Sequence, residues 1–176
     1  MERDISKKRK YSFRKYSKAC TMLFFRERGR LTRCLGKTAY IEHVGSTAVP
    51  GLGGKNILDI MLGDTPHHFK KRIKQLSGIG YVFHPENGSS ERFFFVRDTK
   101  YKGKNIRIHL HLTNLKSREW KEMLAFRDYL RANRKAAIKY AAIKRKAARN
   151  AKGDKKIYMK EKEGFIQNTI RNALAR

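Results

Sequence analysis

From Tyr11 to Leu35 the apolar positions Phe13, Tyr16, Cys20, Leu23, Phe24, Leu31 and Leu35 recur at spacings near three and four. That is the period of a helix with one buried face, and Gly36 is a plausible stop. Tyr40 to Val44 is a short apolar run closed by Gly45, which predicts a strand, and VPGLGG at 49–54 predicts a loop. Ile57 to Leu62 is almost continuously apolar apart from Asp59, as expected of a strand covered on both faces. Thr65-Pro66 opens a helix to about Leu76, ended by Ser77-Gly78. Tyr81 to His84 and Arg92 to Arg97 predict two further strands, with turns at 85–90 and 100–105. Ile106 to Leu112 alternates strictly and predicts a strand. Helical periodicity then runs to the end in the segments 117–132, 134–150 and 155–175. This order predicts an α/β (α+β) protein: a mixed β-sheet core over about 11–115, then a helical C-terminal third.

The length of 176 residues fits one domain, 11–176, preceded by a basic arm at 1–10. No apolar run is long enough for a membrane helix, and MERDISKKRKYSFRKY has no secretory apolar region. Cys20 and Cys34 make no disulfide framework and read as reduced thiols, so a cytoplasmic protein is expected. Charge alters the picture more: 43 Lys and Arg against 15 acids give +28. Such a field attracts polyanions, and weak, sequence-indifferent nucleic-acid binding is expected, partly through the segment after Arg131. Zinc-finger spacing, a P-loop, a dinucleotide-binding fingerprint, a G-x-S-x-G elbow and an H-E-x-x-H helix are all missing from the sequence.

The chemistry concentrates in IEHVGSTAVPGLGGKNILDIML, residues 41–62. A glycine after a strand lets the backbone approach a ligand, and the N–H groups and hydroxyls of Gly45, Ser46 and Thr47 could hold phosphate oxygens. Asp59 follows on the next strand, within reach of a metal bound to those phosphates. The spacing fits equally a tight turn beside a buried, hydrogen-bonded aspartate. The string EHVGSTAVPGL resembles the signature of the GrpB family of predicted nucleotidyltransferases. K-N-ILDI at 55–60, HLHL at 109–112, LAFRDYLRAN at 124–133, Tyr140 with Lys144, and Y-x-x-x-K-x-x-FI at 158–166 extend the resemblance to about residues 12–175. It implies a nucleotidyltransferase-like fold, in which a Gly-Ser turn holds the nucleotide triphosphate and a D-x-D pair binds metal.

Here the second carboxylate position is Met61, which cannot bind magnesium. The later strand offers His109 and His111, which share one strand face. They could join Asp59 in holding a divalent ion (Mg, Mn or Zn), act as acid–base or phosphate-contacting groups, or be structural. Glu42 and His43, being neighbours on a strand, should face opposite ways. Lys55 and Arg127 are further candidate phosphate ligands, Arg131 shares a helix face with Arg127, and Asp128 is a candidate ion-pair partner. Tyr140 and Lys144 are expected to pack the helix with the lysine tip in water, and Trp120 with Leu124 to join the core. Three functions compete: nucleotidyl or phosphoryl transfer, nucleotide or RNA binding without catalysis, and a partner-binding domain.

Overall fold

A computed structural model describes residues 13–37, 39–55 and 57–175, so the basic arm expected at 1–10 lies outside the described residues. The elements run α1 (Lys18–Leu35), β1 (Tyr40–Val44), β2 (Ile57–Asp64), α2 (Phe69–Gly78), β3 (Val82–Phe83), β4 (Arg92–Tyr101), β5 (Lys104–Asn114), α3 (Arg118–Ala132), α4 (Arg134–Asn150) and α5 (Lys155–Leu174). The strands form one mixed sheet in the order β1-β2-β5-β4-β3, with β2 and β5 parallel and the other pairs antiparallel.

Among the element boundaries that depart from the sequence reading, two have a visible cause. The first helix starts at Lys18, not near Tyr11, because the Ser17 hydroxyl caps it by accepting from the Ala19 N–H. Arg14, before the cap, instead forms an isolated bridge with Gly54 through backbone hydrogen bonds of 2.7 and 2.9 Å. The turn expected over 100–105 shrinks to Lys102-Gly103, both at positive φ (48° and 72°). Such a two-residue turn matches strand twist, so β4 and β5 continue in register to the pair Tyr101 and Lys104.

The two faces of the sheet have different fates. Leu58, Ile60, Leu62, Phe95, Ile106, Ile108, Leu110 and Leu112 point one way and pack under Leu23, Phe24, Leu31 and Leu35 of α1 and Leu76 of α2. Buried carboxylates stitch that layer together. Glu27 takes Arg30, Arg97 and the Tyr81 hydroxyl, while Asp64 takes Arg72, whose guanidinium also reaches the Leu35 carbonyl. The opposite face presents Val44 and Met61 to Trp120, Leu115, Met123 and Leu124, as the apolar stripe of α3 predicts. Gly63 allows this close approach, since a Cβ there would lie 2.8 Å from the Trp120 ring. Asp59, His109 and His111 lie on this second face, beyond the apolar patch. No helix among the described residues is long and apolar enough to cross a membrane.

Candidate active site

β1 and β2 pair with Val44 opposite Asp59, and β2 pairs with β5 with Asp59 opposite His109. Gly45 leaves β1 at φ 69°, where side chains are strained, and opens a single 3-10 turn, Ser46–Ala48. Its missing side chain is where the Asp59 carboxyl packs: a Cβ on Gly45 would stand 2.9 Å from the Asp59 Cγ. The Gly-Ser turn and Asp59 are therefore neighbours, as the sequence reading required. Gly54 makes a second close approach, since its Cβ would lie 3.2 Å from the Ser46 Cβ and 3.4 Å from the Lys144 Nζ.

His109 Nδ1 lies 3.4 Å and His111 Nε2 4.0 Å from Asp59 Oδ1, so all three converge. Burial raises the Asp59 pKa, but the two imidazoles more than offset it and hold the carboxyl well below the ordinary carboxylate range. Burial pushes the His111 pKa down against the pull of Asp59, and its Nδ1 is buried without a hydrogen-bond partner among the described residues. Phe94 packs against both rings at centroid distances of 4.9 and 5.2 Å. Met61 sits one row behind, fully buried between Glu42 and His111. Glu42 shares the face of Asp59 but is taken by Arg127 at 2.6 Å. Among the described residues no group of three or more His, Cys, Asp and Glu side chains is placed to hold a metal ion. The donors present, one carboxylate with two imidazoles against it, do not fit a pair of magnesium ions, which need several shared oxygens.

Other candidates serve the frame of the site. Thr47 is buried, and its hydroxyl donates to the Ile57 carbonyl at 3.3 Å and meets His43 Nε2 at 2.9 Å. The hydroxyl proton being spent, His43 must donate from Nε2. Burial drives the His43 pKa down to about 4, which keeps that ring neutral, stacked on Phe24. Arg127, expected at phosphate, is buried and committed: it holds Glu42, both Asp128 oxygens and the His43 carbonyl. Arg131 donates to the Ala48 carbonyl at 2.9 Å. The arginine pair of α3 thus clamps β1 and the Gly-Ser turn.

Three lysines cluster near the glycine loop and the C-terminal helices. Lys55 lies 4.2 Å over one side of the Tyr158 ring system, and Lys162 is also 4.2 Å from its centroid. Lys144 does not reach water as expected from the sequence: it is 3 % exposed, donates to the Gly53 carbonyl and lies 4.9 Å from the Tyr140 centroid. Burial lowers all three pKa values, Lys55 and Lys144 to about 7 and Lys162 to about 8, with the Lys162 charge adding to the fall at Lys55 and Lys144 and Asp59 pulling all three back. Lys162 and Tyr158 carried no assigned role in the sequence reading, although a signal exists. Tyr140-x-x-x-Lys144 on α4 and Tyr158-x-x-x-Lys162 on α5 are the same i, i+4 pair on two packed helices.

A profile of the GrpB family, described as "GrpB protein", matches residues 11–172. The chain belongs to the GrpB family. It is 39 % identical to a UPF0157 protein of Pseudomonas aeruginosa over 77 % of its own length, and spans only about half of that relative, 55 %. The crystal structure of the conserved protein GrpB from Enterococcus faecalis superposes with a TM-score of 0.79 at 29 % identity, covering 93 % of this chain and 98 % of that one. The Cid1 poly(U) polymerase with Mg 3′-dATP bound matches at a TM-score of 0.50 and 11 % identity, over 77 % of this chain and 43 % of that one. That likeness speaks for the fold alone: this GrpB-family chain has a nucleotidyltransferase-like sheet.

Proposed function

We propose that this GrpB-family chain binds the phosphates of a nucleotide and transfers a nucleotidyl or phosphoryl group from it. The observation that carries this reading is convergence: the Gly45-Ser46 turn, the Asp59–His109 pair and three lysines meet on one face of a nucleotidyltransferase-like sheet. Backbone N–H groups of the turn and the Ser46 hydroxyl hold phosphate oxygens, and the lysines offset the charge of the phosphoanhydride chain. Asp59 orients His109, leaving the other ring nitrogen to accept a proton from the acceptor hydroxyl. The acceptor oxygen then forms a new bond to phosphorus and the phosphoanhydride bond breaks in line: attack at the α-phosphorus of a triphosphate releases pyrophosphate toward the lysines, and attack at the γ-phosphorus releases the nucleoside diphosphate. Positioning and charge stabilisation supply most of the acceleration in such transfers.

Divalent ions, which the fold family implies, would supply Lewis-acid polarisation at the phosphates, but one carboxylate with two imidazoles does not fit a pair of them. A second reading, nucleotide or RNA binding without transfer, is favoured by the buried Met61 in the second carboxylate position. Incubating the chain with α-labelled and γ-labelled nucleoside triphosphates and a mixed RNA acceptor pool separates the readings. Label transferred to an acceptor and lost in Asp59→Ala supports the enzyme. Nucleotide binding that needs Ser46 but yields no transfer supports the binding protein. No nucleotide binding at all removes both.

A further inference from the structure

Lys144 and Lys162 are almost fully buried, at 3 % and 8 % exposure. Lysine is rarely buried to that degree unless paired, since an ammonium loses its hydration there. No carboxylate lies within ion-pair distance of either among the described residues; the recorded pairs there involve arginine and histidine. Their partners are instead the Gly53 carbonyl and the faces of Tyr140 and Tyr158. Aromatic faces attract an ammonium but compensate only part of its desolvation. Lys55 joins them over Tyr158, beside the Gly54 backbone that Ser46 and Lys144 approach. Asp59 is the one carboxylate whose field reaches all three, and it already faces His109. Three lysines thus stand near one carboxylate beside the Gly-Ser turn, where Met61 and the Arg127-bound Glu42 leave no second set of oxygens for magnesium.

Resting on the proposed phosphate site, we infer that Lys55, Lys144 and Lys162 form a polyphosphate-binding cradle that works without a divalent metal. A phosphoanhydride chain supplies the anionic partners that Lys144 and Lys162 lack among the described residues, and Ser46 and the turn fix its end. The tyrosines preorganise the cradle, holding the ammoniums over flat rings on two packed helices so that little side-chain freedom is lost on binding.

The probe is inorganic tripolyphosphate, titrated calorimetrically into the full chain in EDTA and then in magnesium, beside thermal melts with and without it. Dissociation constants in the two buffers should agree within about threefold, and Lys144→Met and Lys162→Met should each weaken binding at least about tenfold. Methionine fills similar volume without a buried charge, so each variant alone should melt at or above the wild-type temperature while losing the tripolyphosphate-induced rise. The exposed pair Lys135→Gln/Lys139→Gln should leave binding within about twofold. Binding that requires magnesium, or that survives Lys144→Met, overturns the inference but leaves the phosphate site standing. Equal weakening by the exposed pair overturns it as well, since attraction is then diffuse. No binding in either buffer defeats the inference and the proposed function together.

Discussion

Gly45→Ala strikes the contact on which the site is built. Two costs add. At φ 69° and ψ −169° a side chain is strained, by about 1–3 kcal/mol. The new methyl also occupies the place of the Asp59 carboxyl, 2.9 Å from its Cγ, and must push it off His109. That pair is partly solvated, at 24 % and 23 % side-chain exposure, so its loss is worth about 1 kcal/mol at most. Together they give a loss of about 1–4 kcal/mol, or a fall in Tm of about 2–16 °C for a chain of this size. Urea unfolding of Gly45→Ala, Asp59→Ala and the double variant, followed by far-UV circular dichroism, isolates the collision. In the Asp59→Ala background the collision with the carboxyl is gone, leaving the strain and a 3.0 Å approach to the Cβ at position 59, so Gly45→Ala should cost less there, by up to about 1 kcal/mol. A loss below about 0.5 kcal/mol refutes the account of the turn. An identical loss in both backgrounds refutes the collision with Asp59.

Three other outcomes are expected. Arg127→Ala should destabilise by about 1–2 kcal/mol in urea titration, because Glu42, Asp128 and the His43 carbonyl lose a shared donor while the two carboxylates remain partly hydrated; a loss near zero contradicts the clamp. Tripolyphosphate binding should weaken from pH 7 to pH 9 as Lys55 and Lys144 (pKa lowered to about 7) and Lys162 (to about 8) lose their protons, and a flat calorimetric profile contradicts the burial. The sign for stability is opposite: these folded-state values lie below those of the unfolded chain, which therefore holds more protons above pH 7, so ligand-free stability should rise through that window. On α4, Arg145, Lys146 and Arg149 are exposed, and neutralising all three should flatten the salt dependence of duplex DNA binding by up to about 0.9 in slope per lost phosphate contact, with Tm nearly unchanged; an unaltered slope removes this helix from the contact.

Much of the framework was legible because each element repeats one period. ILDIML reads as a doubly covered strand, and Leu58, Ile60 and Leu62 do enter the α1 layer while Met61 meets Trp120. The alternation of IRIHLHL likewise places both histidines on the face of Asp59. What the periodicity missed was tertiary. A cap at Ser17 and a backbone bridge from Arg14 to Gly54 shorten the first helix against its apolar spacing. Arg127 reads as a phosphate ligand until Glu42, 85 positions away in sequence, is seen to take it. Lysine is read as surface by default, so the burial of Lys144 against Tyr140 and of Lys162 against Tyr158 emerges only when α4 and α5 pack. The repeated Tyr-x-x-x-Lys spacing was the one available clue.

The central claim is that phosphates bind between the Gly-Ser turn and the lysines. A crystal structure of the chain grown with a non-hydrolysable nucleoside triphosphate analogue tests it most directly. The account predicts terminal phosphate oxygens within hydrogen-bond distance of the Ser46 hydroxyl and of the Lys144 and Lys162 ammoniums, with the ribose side toward Asp59 and His109. An analogue seated elsewhere, with these lysines still folded onto Tyr140, Tyr158 and the Gly53 carbonyl, would contradict it.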